Sequence, residues 1–237
     1  MVQANDEVNQ IIVIIPARIG SKRIPRKNLQ KIDGKTLLAI SIQIAKKIAF
    51  PTRVIVSTDS KDIATEATIH GAEIPFFRSQ ELSDDFSGTD SVVSNALDLC
   101  GFPDETLVCC MYPTAVLSTS NSLEEGLRIL REHKESLVVG VKPFGHPIDR
   151  ALEVRPTGDL EYRSKEYSKQ RTQDLPTAFY DAGQFYWATA ATWRKLANGE
   201  LVNMRPTILS KFSAFDIDDF EDLEFVTQIF GLKSANE

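Results

Sequence analysis

Apolar residues occur in two alternating rhythms along the first 140 positions of the chain. The run IIVII at 11–15 is β-branched and is closed by Pro16, which is typical of a strand buried on both faces of a parallel sheet. Leucine, isoleucine and alanine then recur at helical spacing through 36–49. The same alternation continues, with strands expected at 53–57, 107–111 and 137–142 and helices at 60–70, 89–100 and 122–133. Such a succession predicts an α/β fold with a mainly parallel sheet and right-handed crossovers.

The pattern loosens between 144 and 182, a segment we call the excursion. It is rich in proline, glycine and alternating charges, and 151–163 reads as a small hairpin with a glycine-bearing turn. A short apolar piece lies between the helices at 60–70 and 89–100, and if it is counted as a strand, the excursion follows the fifth strand. We interpret the excursion as a lid or a dimerisation arm. Regular patterns then return: a strand at 184–188, a helix at 189–198, an extended piece at 213–217 and a helix at 219–230. We predict a single domain over 11–232, preceded by a flexible N-terminal tail at 1–10.

Composition and charge exclude several classes of protein. With 27 basic and 33 acidic residues the net charge is −6, which disfavours a general affinity for nucleic acid or for an anionic membrane surface. No apolar run approaches the ~20 residues that cross a bilayer, and the first ten residues lack the basic start of a signal peptide. Three cysteines, two of them adjacent, favour a reducing cytoplasm over a disulfide framework.

The most informative polar stretch is PARIGSKRIPRKN at 16–28, which we call the basic loop. It contains five positive residues and no acid, and it lies between the first strand and a helix. Ligands of such sheets bind at the carboxyl ends of the strands, where cationic side chains and free N–H groups suit a polyphosphate. It is not a Walker A loop, since the required first glycine is replaced by Ile15. The alternative is an ordinary solvated loop.

A pair of acids near the C-terminus suggests a metal site. Asp216 and Asp218 are two residues apart in an extended segment, so their side chains are expected on one face, about 6.6 Å apart. Mg²⁺ commonly takes one or two carboxylates together with substrate phosphates and water. The alternative is that Asp218 caps the last helix, with Glu221 completing a capping box.

Two further stretches are ambiguous when taken alone. The polar loop FFRSQELSDDFSGTD at 76–90 suits either contacts with a base or ribose, or an ordinary surface. The segment YDAGQFYW at 180–187 mixes aromatic and hydrogen-bonding residues, as sugar sites do, but also suits an aromatic strand in the core.

Taken together, these motifs resemble the CMP-sialate synthetase family of cytidylyltransferases. The stretches IIPARIGSKRIPRKNL, VIVSTDSKDIA, FRSQELSDDFSGTD, YPTAV and DIDDFEDLE occur in the family's order from about Ile11 to Phe230, while CCMYPTA, QRTQDLP and YDAGQFYW resemble its pseudaminic acid branch. The resemblance implies a three-layer Rossmann-like nucleotidyltransferase fold. It also implies transfer of CMP from CTP to a nine-carbon 2-keto sugar acid, with release of pyrophosphate and with Mg²⁺ as cofactor. Members are typically cytoplasmic homodimers whose excursion reaches across to the partner.

The resemblance also assigns roles by position. It implies catalytic roles for Arg18, Lys27 and Asp218, and metal binding by Asp216 and Asp218. The residues implied to bind the nucleotide are Arg18, Ser21, Lys22, Lys27, Asn28, Arg78 and Thr89. Those implied to bind the sugar are Tyr112, Arg150, Arg171, Asp181 and Gln184.

Departures from the family pattern concern the sugar. Tyr112 stands where sialate synthetases usually have glutamine, and Tyr180 and Ala182 replace polar sugar-binding positions. These departures favour pseudaminic acid over N-acetylneuraminate. The alternatives are the same reaction on N-acetylneuraminate or legionaminate, and a non-catalytic nucleotide-binding module.

Overall fold

The computed structural model of the chain describes residues 11–234, so the predicted tail at 1–10 lies outside the described residues. Within the described part, six strands form the central sheet and four pair as two small ribbons. In chain order the strands are β1 (Ile11–Pro16), β2 (Lys31–Ile32), β3 (Lys35–Thr36), β4 (Thr52–Ser57), β5 (Leu107–Met111), β6 (Ser136–Pro143), β7 (Leu152–Val154), β8 (Leu160–Tyr162), β9 (Phe179–Thr189) and β10 (Asn203–Ile208).

The central sheet has the order β10-β6-β9-β5-β1-β4. Strand β1 pairs in parallel with β4 and β5, and β10 pairs in parallel with β6. Only β9 runs antiparallel, between β5 and β6. The sheet is therefore mainly parallel, as predicted.

The described residues also form six α-helices, of which the last follows the final strand, and side-chain caps fix several of their starts. They are α1 (Leu37–Lys46), α2 (Lys61–Ile69), α3 (Thr89–Cys100), α4 (Ser120–Glu132), α5 (Ala190–Ala197) and α6 (Phe220–Ser234). Helix α4 begins two residues before the predicted start because Thr119 and Ser122 form a reciprocal capping box. Helix α3 ends at Gly101, whose φ of 66° is the left-handed conformation that suits glycine.

Alternate residues of β1 show how the layers are arranged. Ile11, Val13 and Ile15 are buried in a cluster with residues of α1, α2 and α4, whereas Ile12 and Ile14 are buried in a second cluster with α3 and α5. Both faces of the sheet are thus covered by helices, which explains the continuous apolar run of β1. The predicted three-layer α/β fold is confirmed.

The structure adds to and corrects the sequence prediction: strand β10 of the central sheet was not predicted. The apolar piece between α2 and α3 forms only an isolated bridge between Ile55 and Glu73, so the excursion follows the fourth strand of the central sheet. The extended piece at 213–217 joins no strand ladder. The predicted hairpin is present as β7 and β8, with Gly158 at a φ of 88° in the connecting turn. Among the described helices, none is both long and apolar enough to cross a membrane.

Candidate active site

A cleft of about 440 Å³ opens at the carboxyl ends of β1 and β5. Its lining joins four separate parts of the chain, namely the basic loop, the loop before α3, the turn that follows β5 and the acidic pair. The residues around it are Pro16, Arg18, Ser21, Lys22, Arg23, Lys27, Asn28, Asp85, Tyr112, Pro113, Thr114, Asp216 and Asp218. The structure therefore brings the basic loop and the two aspartates together across one shared cleft.

Hydrogen bonds between backbone and side chains fix the shape and position of the basic loop. The N–H of Ile19 donates to the Asp59 carboxylate at 3.0 Å, and the Asn28 amide donates to the carbonyl of Arg18 at 2.9 Å. Asn28 is buried, so its amide fixes the loop as well as lining the cleft. Arg26 takes a left-handed conformation, with a φ of 53°, where the loop turns into a short 3₁₀ helix.

Lys27 contacts the acidic side of the cleft through a backbone carbonyl. Its ammonium donates to the carbonyl of Ile217 at 2.7 Å, between the two aspartates in sequence. Burial lowers the pKa of Lys27, while the charges of Asp216 and Asp218 act in the opposite direction. A half-buried ammonium in this position is less screened by water than a surface lysine.

The two aspartates have different surroundings. Loss of surrounding water, followed by repulsion from Asp218, raises the pKa of the Asp216 carboxyl above its usual range, although that side chain remains open to the cleft. Asp218 accepts a hydrogen bond from Arg23 at 2.6 Å. Asp218 is therefore paired with the basic loop.

The helix-capping alternative for Asp218 is wrong. The carboxylate of Asp219 accepts from the N–H groups of Glu221 and Asp222, and the carboxylate of Asp222 accepts from the N–H groups of Asp218 and Asp219. These neighbouring acids satisfy the start of α6, which leaves the Asp218 side chain facing the cleft.

Side chains from elsewhere hold the segment at 213–219, which we call the acidic segment. Lys142, buried in the sheet, donates to the carbonyl of Ala214, and the amide of Gln184 donates to the carbonyl of Phe215 at 3.1 Å. These bonds replace the ladder that the segment lacks. Gln184 is fully buried and lies behind the acidic segment, so its implied contact with the sugar stays a prediction that this placement does not support.

Asp85 neutralises part of the basic loop, which sequence reasoning missed. Its carboxylate pairs with Arg18 at 2.7 Å and also with Lys22. Hydrogen bonds from Lys22 and Arg18 lower the pKa of Asp85. Asp85 lies in the polar loop at 76–90, before α3. The basic loop therefore has a counter-ion that its own composition does not reveal.

A side pocket of about 150 Å³ adjoins the cleft and shares Arg18, Asp85 and Tyr112 with it. Arg78 and Thr89 line this side pocket. Arg78 is 7 % exposed, and its Nε and one terminal nitrogen have no hydrogen-bond partner among the described residues. Burial lowers the pKa of this guanidinium. An incompletely paired buried arginine favours an acceptor-bearing ligand in the side pocket.

The structure does not bring Arg150 and Arg171 to the cleft. Arg150 contacts Tyr162, and Arg171 pairs with Asp174 at 2.8 Å, all within the excursion. Neither arginine is among the residues that line the cleft or the side pocket. Across the described residues, no group of three or more His, Cys, Asp or Glu forms a metal cage.

Comparisons with known proteins show what the chain is similar to. The family model for cytidylyltransferases matches residues 12–228. The chain is 33% identical over 221 residues to a pseudaminic acid cytidylyltransferase of Campylobacter jejuni, covering 92% of this chain and 95% of that protein. It is also 42% identical over 142 residues to a CMP-N,N'-diacetyllegionaminic acid synthase of Legionella pneumophila, covering 57% of this chain and 59% of that protein.

A solved structure shows the same fold at low sequence identity. It is a CMP:2-keto-3-deoxy-manno-octonic acid synthetase complexed with CTP, with a TM-score of 0.72 and 17% identity, covering 95% of this chain and 99% of that one. This likeness supports the architecture derived above.

Proposed function

The chain belongs to the cytidylyltransferase family, and we propose that it transfers CMP from CTP to pseudaminic acid with release of pyrophosphate. The observation on which this rests is the shared cleft, in which the basic loop faces Asp216 and Asp218. Nucleotidyl transfer needs such an arrangement because negative charge develops on the oxygens of the reacting phosphate and of the departing pyrophosphate.

The nucleotide would span the cleft and the side pocket. Arg18, Ser21, Lys22 and Lys27 offer donors and positive charge to the triphosphate. Arg78 in the side pocket suits cytosine, which presents two adjacent acceptors, O2 and N3, to the planar fork of a guanidinium. Uracil carries a proton on N3 and therefore offers one acceptor fewer on that edge. Asn28 and Thr89 would complete the nucleoside side.

The reaction is an in-line displacement at the α-phosphorus. The anomeric hydroxyl of the sugar acid forms the new P–O bond while the bond to pyrophosphate breaks. Arg18 and Lys27 would neutralise the charge that develops on the phosphate oxygens, and the cleft would hold the two reactants in line.

The acidic pair fits a magnesium ion. Asp216 and Asp218 present hard oxygen donors to one cleft, and their repulsion contributes to the raised pKa of Asp216, so a divalent cation bound by both would relieve it. Two carboxylates with phosphate oxygens form a usual magnesium environment. When bound, the ion would polarise the phosphate and lower the pKa of the attacking hydroxyl.

A second copy of the chain would complete the part of the active site that binds the sugar acid. Arg150 and Arg171, implied to bind the sugar carboxylate, lie in the excursion and away from their own cleft. The ribbon of β7 and β8 exposes Val154 and Leu160, as a docking arm would.

We expect sedimentation velocity to give twice the 26.4 kDa mass of the chain. A monomer at micromolar concentration would contradict the proposed dimer. The free thiols of the three cysteines are consistent with the proposed cytoplasmic location.

A substrate panel tests the function. CTP, UTP and ATP are each offered with pseudaminic acid, legionaminic acid and N-acetylneuraminic acid, with and without Mg²⁺, and pyrophosphate release is measured. We expect release with CTP and Mg²⁺, fastest with pseudaminic acid.

Arg78→Met is expected to raise the KM for CTP by about 10–100-fold, the value of a hydrogen bond to a charged group. Arg128→Met, on the exposed face of α4, is the matched control.

The panel also separates the alternatives. Legionaminic acid is the second candidate because of the 42% identity to the Legionella synthase over part of the chain. If pyrophosphate is released faster with legionaminic acid than with pseudaminic acid, legionaminic acid is the preferred substrate. A chain that binds CTP by calorimetry but releases no pyrophosphate with any of the acids would be a nucleotide-binding module.

A further inference from the structure

An irregularity in β9 brings together two side chains that a regular strand would separate. Opposite β6, Tyr186 pairs with Val139 and Asp181 pairs with Val141, so four residues of β9, at 182–185, face Gly140 alone. In a regular strand, residues five apart lie on opposite faces and roughly 16 Å from one another. Here the Tyr186 hydroxyl donates to the Asp181 carboxylate at 2.8 Å.

Two glycines allow this bulge. Gly183 has a φ of 60°, a left-handed conformation that glycine adopts without strain. Gly140 lies under the bulge, where an added Cβ would be 3.2 Å from the Leu209 side chain and 3.4 Å from the Phe185 carbonyl. The Gln184 amide donates to the carbonyl of Ala182 within the bulge. Bulges of this kind often re-aim side chains beside active sites.

Tyr186 also contacts Tyr112, one of the residues shared by the cleft and the side pocket. Its ring meets the ring of Tyr112 edge-on, with centroids 5.7 Å apart and an interplanar angle of 70°. The Tyr112 hydroxyl is hydrogen-bonded to that of Thr89 at the start of α3. Thr89, Tyr112, Tyr186 and Asp181 therefore form one polar cluster, joined by a hydrogen bond at each end and by the ring contact of the two tyrosines in the middle.

Asp181 and the two phenols of this cluster have different surroundings. Asp181 is exposed, and each of its oxygens accepts one bond, from Gly183 N–H or from Tyr186, which leaves acceptor capacity on both. Burial raises the pKa of Tyr112 to about 12 and that of Tyr186 further, so both phenols stay protonated at neutral pH. A phenylalanine would fill the space of Tyr186 equally well, so the Tyr186 hydroxyl matters for its hydrogen bond to Asp181.

We propose that Tyr186 is a positioning residue for the sugar acid: its hydroxyl holds the Asp181 carboxylate in place to receive an N–H or O–H donor of that substrate, and its ring supports Tyr112. This inference rests on the proposed function and extends it to a residue outside both cavity linings. Tyr186 acts through Asp181 and Tyr112 and touches no reacting atom.

Steady-state kinetics with Tyr186→Phe test the proposal, because this change removes one oxygen and keeps the ring packing. We expect the KM for the sugar acid to rise about tenfold, the value of a hydrogen bond to a charged group, while the KM for CTP changes less than twofold. Asp181→Asn, which changes the exposed acceptor of the Tyr186 hydroxyl, checks the result without altering the core. The double variant is expected to be no worse than Asp181→Asn alone, since coupled residues are not additive.

The outcomes separate this inference from the function on which it rests. The inference is overturned if Tyr186→Phe leaves the KM for the sugar acid unchanged, or if the effects in the double variant are additive. The proposed function still holds in that case if the wild-type protein turns over. Equal changes in both KM values also overturn the inference, because a purely structural hydroxyl would disturb both substrates. If the wild-type protein releases no pyrophosphate with any of the acids, the proposed function fails and the inference with it.

Discussion

Asp216→Asn is expected to reduce pyrophosphate release by about 10²–10³-fold, the loss seen when one stabilising group is removed from a charged transition state. The change is nearly isosteric and removes one of the two carboxylates proposed to hold Mg²⁺. Asp218→Asn is expected to give a loss of similar size, and it also frees Arg23 from its ion pair. Initial rates at saturating CTP and sugar acid, over a range of Mg²⁺ concentrations, measure both effects.

The stability of Asp216→Asn is expected to move in the opposite direction from its activity. Because loss of water and repulsion from Asp218 raise the pKa of this carboxyl in the folded state, its ionisation lowers stability as pH rises past its unfolded pKa. The Tm of Asp216→Asn at neutral pH is therefore expected to equal or exceed that of the wild-type protein. Asp33→Asn, in the exposed turn between β2 and β3, is the matched control. Near wild-type turnover for Asp216→Asn would contradict the metal assignment.

Lys27→Met is expected to reduce kcat by about 10²-fold. The change removes a half-buried positive charge from the cleft and leaves the carbonyl of Ile217 without its donor. Lys22→Met offers a comparison within the same basic loop, because the Lys22 side chain is 79% exposed and its charge is more strongly screened by water. We expect less than a tenfold loss for Lys22→Met.

Single-turnover measurements with excess enzyme separate the chemical step from product release for both lysine variants. A larger loss for Lys22→Met than for Lys27→Met would show that the exposed part of the loop makes the decisive contact. It would also contradict the catalytic role proposed for Lys27. Circular dichroism of both variants checks that each remains folded.

Much of the fold could be predicted from local sequence patterns. The β-branched run of β1 and the helical spacing of α1 follow from which faces the elements bury, and the start of α2 from the Ser60 cap. The basic loop and the aspartates at 216 and 218 could also be recognised, because each is a compact motif and the carboxyl ends of parallel strands share one edge. These features need only neighbours in sequence, together with the general rules of parallel sheets.

Other features could not be read from the sequence because they depend on residues far apart in the chain. Asp85 neutralises Arg18 from 67 positions away, and Lys142 holds Ala214 across 72 positions. The capping alternative for Asp218 failed because two adjacent acids compete for the same helix start, and only their positions relative to the backbone decide between them. Gln184 has a polar side chain, yet the structure buries it behind the acidic segment.

The sequence by itself thus determined the alternation of strands and helices, the chemistry of the loop after β1 and the presence of two acids near the C-terminus, since periodicity and residue type express local preferences. The tertiary structure alone decided which charges compensate one another, which polar side chains are hidden, and that the bulge of β9 carries Tyr186 onto Asp181. Those outcomes depend on strand register and on packing between distant segments, where a shift of one residue would turn each side chain to the opposite face.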